Sequence, residues 1–203
     1  MVLFLQFCCR WKCTVVFFIA SAPLKVCHIR RYYSHKAFKG IATKGQCSIG
    51  CFFGFKLPIV INDKSEILDL LFTLGNVHDR EPLKNMNFHD NIFGKPFGDK
   101  GYFTKSLFEE LFIDGLHLIT KPRKNMKNSL VLIPDKILQR KRALTDTIND
   151  ELKNICQIEH TRLRSFENFI TNLISGLAAY SYLPKKPFLN LEIIDNKQIC
   201  KFA

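Results

Sequence analysis

Apolar residues in this chain follow two periods. Residues 14–19 (TVVFFI) and 52–61 (FFGFKLPIVI) are short runs rich in β-branched and aromatic side chains, the pattern of buried strands. Residues 66–73 form a third run. The turn Asn62-Asp63-Lys64-Ser65 joins it to the second, which predicts a hairpin. Pro58 cannot donate to a ladder and predicts an edge or a bulge at its position. Further strands are expected over 93–98 and 116–120. Helical signals lie between and after these. Asp79-Arg80-Glu81-Pro82 has acids and a proline where a helix begins. Thr104 is the expected N-cap of a helix over 105–114 that Gly115 stops, and a long helix is expected over 135–156. Ser165 caps a last helix over 166–182, which ends before Pro184.

The order is three strands, helix, strand, helix, strand, helix, helix. It predicts an α/β fold, a mixed five-stranded sheet flanked by helices, in the order of the RNase H-like fold. The expected division is a poorly defined N-terminal remnant over 1–13, one domain over 14–183 and a tail over 184–203.

Charge narrows the function. Thirty Lys and Arg against 18 Asp and Glu give a net charge of +12, which favours a polyanionic partner, most often nucleic acid. Two blocks hold the excess. Residues 25–56 carry seven Lys or Arg and no acid, and 121–142 carry eight against Asp135 alone. In the first block Arg30, Arg31, Lys36 and Lys39, with His28 and His35, are interleaved with Tyr32, Tyr33 and Phe38. They are candidate DNA-binding residues. Eight cysteines include the Cys47/Cys51 pair but no CxxC, which argues against zinc and for reduced thiols. TVVFFI followed by Ala20-Ser21-Ala22 mimics a signal peptide, but Arg10 and Lys12 leave too short an apolar run. No run approaches the ~18 apolar residues of a membrane span, so no membrane partner and a cytoplasmic location are expected.

Two carboxylates carry the candidate chemistry. Asp99, in Gly98-Asp99-Lys100-Gly101-Tyr102, follows the fourth strand, where ligands of such sheets gather. Asp146 lies on the long helix, with Arg142 one turn before it and Lys153 two turns after. Leu144, Ile148, Leu152 and Ile155 form an apolar stripe on that helix. Arg142, Asp146, Asn149 and Lys153 form a second stripe, turned away by about 200°. A solvated face with an Arg142–Asp146 ion pair has the same pattern. Separated carboxylates in a basic chain suggest divalent-metal chemistry on phosphodiesters. Such a site wants a third acid from an early strand, yet residues 1–62 contain no Asp or Glu.

The chain resembles the DDE transposases of bacterial insertion sequences from about residue 17 to residue 183. The matching blocks are FFIASAPLKVCHIRR with HKAFKG, GCFFGFKLPIVIND, TLGNVHDREPLKN, FGDKGY, ITKPRKNMKN, and RKRALTDTINDELKN followed by HTRLRSFENF. The resemblance implies an RNase H-like core in which three acids bind two Mg²⁺ for in-line phosphodiester cleavage and strand transfer. It implies DNA as partner, both element ends and target, and a possible homodimer. Asp99 matches the second acid. Asp146 stands where the family has Glu, between Arg142 and Lys153 at matching basic positions. The first acid is absent, for the family reads Ile-Asp-Ser where this chain reads Ile19-Ala20-Ser21. Ala22, Cys51, Pro58 and Leu74 are further departures, and an upstream DNA-recognising region is not seen. Asp63, the nearest acid in sequence, is expected at the opposite end of the sheet from Asp99. The sequence thus reads as a truncated transposase copy, catalytically impaired at Ala20. A non-catalytic DNA-binding remnant and a secreted cysteine-containing protein are the rival readings.

Overall fold

The computed structural model describes residues 15–47, 50–84, 94–121, 130–159, 164–189 and 199–201. The expected remnant over 1–13, most of the tail, and the basic residues Arg123, Lys124 and Lys127 lie outside the described residues. Two long antiparallel strands form the centre, β1 (Val16–Cys27) and β3 (Gly50–Asn62), paired from Phe17↔Asn62 to Cys27↔Phe53. β6 (Lys95–Gly98) runs parallel to β1, and β7 (Ile119–Thr120) parallel to β6. On its other edge β3 meets β2 (Thr43–Cys47), β5 (Thr73–Leu74) and β4 (Ile67–Leu70) in succession. The order β4-β3-β1-β6-β7, with β3 antiparallel to its neighbour β1, is the RNase H-like arrangement.

The pleat divides the core. Phe18, Ala20, Ala22 and Leu24 of β1 join Phe53, Phe55, Leu57, Ile59 and Ile61 of β3 on one face. Over them pack Leu144 and Ile148 of α3 (Ala143–Asp150), Leu152 just beyond it, and Phe169, Leu173, Leu177 and Tyr180 of α4 (Phe166–Ser181). Phe17 and Ile19 face the other way, onto Leu107 and Leu111 of α1 (Lys105–Ile113). Gly115, at φ +82°, ends α1 as expected, and Leu116 N–H closes back on Leu111 C=O at 2.8 Å. Thr104 sits at the N-cap without a side-chain bond, whereas Ser165 Oγ accepts from Asn168 N–H at 3.3 Å.

Several expectations need correction. The sheet has seven strands, because the basic segment 23–50 contains β2 and the expected strand over 66–73 is split into β4 and β5. β1 continues to Cys27, and β2 pairs with β3. Few β-branched or aromatic residues and one exposed lysine each, Lys25 and Lys44, hid these segments. Pro58 is neither at an edge nor in a bulge of β3. Its carbonyl accepts from Leu71 N–H at 2.9 Å, so its polar edge faces the break between β4 and β5 and the β1 ladder loses nothing. After Asp79 there is only the 3₁₀ turn Glu81–Lys84, with residues 85–93 outside the described set. The long helix is three pieces: α2 (Ile133–Arg140), α3, and a π-helical turn over Glu151–Ile155. Beside α2 a short ribbon pairs β8 (Leu130–Leu132) with β9 (Ile199–Lys201). No helix among the described residues is long and apolar enough to cross a membrane.

Glycines let β2 and β5 converge on the same stretch of β3. A Cβ on Gly45 would collide with the Gly75 carbonyl oxygen, and Gly75 N–H donates to Gly54 C=O at 3.2 Å. Backbone lies on the far side of that contact and cannot swing away. Gly45→Ala is therefore expected to destabilise the chain by about 1–3 kcal/mol in urea unfolding. A loss within ~0.5 kcal/mol, the usual range of surface changes, would show that the strands do not meet this closely.

Candidate active site

The cleft exists because β1 outruns β6. The ladder sets Phe18 opposite Phe97, and two further residues bring Ala20 level with Asp99. There β6 ends. Asp99 accepts from Lys100 N–H through Oδ1 at 2.8 Å, and its carbonyl accepts from Tyr102 N–H at 3.0 Å. The chain thus curls into the turn Lys100–Tyr102 and leaves the edge of β1 open. Ala20, Ser21, Ala22 and Pro23 form one wall of a cleft of about 400 Å³. Asp99, Gly101 and Tyr102 form a second wall, and Arg142, Asp146, Asn149, Asp150 and Lys153 a third. Cys47 and Asp79 complete the rim.

Two contacts, one turn apart on α2, tie the third wall to the second. Asp135, only 5% exposed, holds Lys95 Nζ at 2.8 Å, and Gln139 Nε2 donates to Gly98 C=O at 3.1 Å. Both partners lie on β6, so the strand that delivers Asp99 also carries the helix leading into α3. On α3 Leu144 and Ile148 enter the core while Arg142 and Asp146 face the cleft, as the two stripes require. Beyond Leu152 the register changes. Cys156 N–H reaches back to Glu151 C=O, a wider turn than the α-helix, and Ile155 leaves the apolar stripe to stand 61% exposed. The ion pairs of the described residues do not include Arg142 with Asp146.

Ala20, Asp99, Asp146, Arg142 and Lys153 therefore meet in one place. Arg30, Arg31, Lys36 and Lys39 do not line the cleft; they stand exposed on the segment between β1 and β2. Lys153 is half-buried and bound to Glu159 at 2.9 Å. The other Glu159 oxygen accepts from Lys25 N–H at 3.1 Å, so Lys153 is braced against β1. Asp63 is not among the lining residues, in keeping with its expected place at the other end of the sheet.

Three lining residues escaped the sequence reading. Asp150 lies one helical turn after Asp146, a spacing that was there to be read. Asp79 does not open a helix. Its Oδ1 lies 2.9 Å from Lys56 Nζ, an ion pair by distance, and Lys56 Nζ also donates to Val77 C=O at 2.9 Å. Tyr102 is buried. Burial holds its phenol well above the ordinary value, and the Asp79 and Asp99 carboxylates add to this against the opposing Arg142. It is therefore a neutral O–H donor. Its hydroxyl, Ser21 Oγ and Asn149 Oδ1 are buried on these walls with no hydrogen-bond partner among the described residues. Polar atoms left in this state are the mark of a surface that receives an occupant.

The donor set does not fit two Mg²⁺ ions. Among the described residues no group of three or more His, Cys, Asp or Glu side chains is placed to hold a metal. Mg²⁺ requires near-ideal octahedral oxygen coordination, and a two-ion site needs a ligand that keeps the ions about 3.5–4 Å apart. β1 contributes Ala20 to the cleft wall and no carboxylate. The described cysteines, Cys27, Cys47, Cys51 and Cys156, are free thiols outside any disulfide.

A family model described as a transposase DDE domain matches residues 10–166. No match was found among curated proteins or among solved structures. The matched span contains β1, β6 and α3, and with them every wall of the cleft, so the chain belongs to the transposase DDE domain family.

Proposed function

We propose that this chain is a DNA-transposition protein of the insertion-sequence type that binds DNA but does not cut it. The observation that carries the reading is the occupant of position 20. The cleft gathers Asp99, Asp146 and two flanking cations, and β1 contributes an alanine to its wall, where the resemblance implies a bridging carboxylate. Metal ions in such a site would activate the attacking oxygen and stabilise the leaving one. Asp99, Asp146 and the other lining acids, Asp79 and Asp150, form no group of three placed to hold a metal among the described residues, and we derive no chemical step through one. Asp146, one methylene shorter than Glu, adds a smaller defect.

What the residues can do is bind. Arg142 and Lys153 present positive charge to a phosphodiester in the cleft, Lys153 with part of its charge met by Glu159. Tyr102 and Ser21 supply hydroxyls. The exposed Arg30, Arg31, Lys36 and Lys39 extend a basic surface without any acid between residues 25 and 56. Element ends and target DNA are the proposed partners, with a second copy of the chain as a possible one.

Two outcomes are expected. First, the chain should bind duplex DNA largely without sequence preference, with log K falling linearly against log salt as counterions are released. Charge reversal at Arg30, Arg31, Lys36 and Lys39 should flatten the line. A slope near zero for the unmodified chain would remove DNA from the reading. Second, the double variant Ala20→Asp, Asp146→Glu adds a carboxylate at a position only 6% exposed, beside two others. Desolvation and repulsion should lower its melting temperature without metal, and Mg²⁺ or Mn²⁺ should recover it. Calorimetric titration should show metal binding by the variant and none by the parent. Equal, metal-independent melting of both chains would mean that position 20 does not face the other acids.

A further inference from the structure

We infer that the turn after β1 is a stacking platform for an unpaired nucleobase. This rests on the DNA reading above and goes beyond it, because none of the platform residues lines the cleft. Tyr33 is 88% exposed, the most open large hydrophobic side chain among the described residues. A lone exposed aromatic needs no explanation. This one is mounted. Its ring meets Tyr32 edge-on at 4.9 Å and 70°, and Tyr32 meets Phe53 the same way at 4.8 Å and 71°. Phe53 is 2% exposed in the core. The exposed ring is therefore linked to the sheet through two others, and its own surface stays open to a partner.

A cation completes the arrangement. Lys44 Nζ lies 3.9 Å from the Tyr32 ring centre and 5.0 Å from that of Tyr33. Lys44 is itself exposed on β2, and Arg30 and Arg31 are exposed in the same 3₁₀ turn as the two tyrosines. The turn is held by its own cap, with Arg30 N–H donating to His28 Nδ1 at 3.3 Å. An exposed aromatic face beside phosphate-binding cations is the combination that receives single-stranded nucleic acid, because every base has a π-face. Bases inside a duplex are stacked and paired and cannot reach such a ring unless they are extruded. The ligand class is therefore an unpaired base in single-stranded, frayed or distorted DNA.

The test compares two probes on the full chain by fluorescence anisotropy at one salt concentration: a short thymidine homopolymer and a mixed-sequence duplex of equal length. Tyr33→Ala should weaken the single strand by roughly 5- to 150-fold and the duplex by less than about twofold. Tyr33→Phe, which keeps the ring and loses only the hydroxyl, should bind both probes like the parent. Loss of both probes in equal measure, or no loss of the single strand, would overturn the inference. So would a change of oligomeric state in Tyr33→Ala with DNA affinity intact, which would make the ring a contact between copies. Failure of the unmodified chain to bind either probe would sink the DNA reading itself. Unaltered duplex binding with an indifferent Tyr33 would sink the platform alone.

Discussion

Successive side chains of a strand leave on opposite faces, and in β1 that alternation sets the geometry of the whole site. Phe18, Ala20, Ala22 and Leu24 face the layer of α3 and α4, while Phe17 and Ile19 face α1. Residue 20 is thereby committed to the face that carries Asp146. The parallel register with β6 commits it to the level of Asp99. A slip of one residue would send Ala20 to the α1 face and turn the phenylalanines inside out, so the core enforces the register. The Lys95–Asp135 pair and the Gln139–Gly98 bond then hold the helical wall to the strand that ends the cleft.

That framework does not depend on an acid at position 20. A carboxylate at a buried position beside Asp99 and Asp146 carries a desolvation cost and like-charge repulsion that only metal offsets. Alanine at position 20 removes both and still fills its place under α3. Alanine at position 20 is thus compatible with the fold. The unpartnered hydroxyls of Ser21 and Tyr102 remain on the walls as polar groups without an evident structural use.

The sheet and the site were legible where hydrophobic pattern and register agreed. The TVVFFI and FFGFKLPIVI runs, the Asn62–Ser65 turn and the Gly115 stop are local signals strong enough to survive packing. The opposed stripes on the Asp146 helix located both the core face and the cleft face. β2 and the second half of β1 carry few β-branched or aromatic residues and one exposed lysine each, Lys44 and Lys25, which reads as loop. The breaks in the long helix depend on the tertiary path over the sheet and have no Gly or Pro to mark them. Asp79 reached the cleft through the fold of a loop, which no periodicity encodes. Asp150 was available to helical spacing and was passed over beside Asn149.

The direct test of the account is strand cleavage. The unmodified chain would be incubated with DNA carrying candidate element ends, in Mg²⁺ and separately in Mn²⁺, and single-strand breaks counted on a denaturing gel. Without a bridging acid, several kcal/mol of transition-state stabilisation is lost, a rate lower by about a thousandfold or more. The account predicts no breaks above the metal-only control. Clear metal-dependent nicking by the unmodified chain, abolished by Asp99→Asn, would contradict it and show that the cleft works with alanine at position 20.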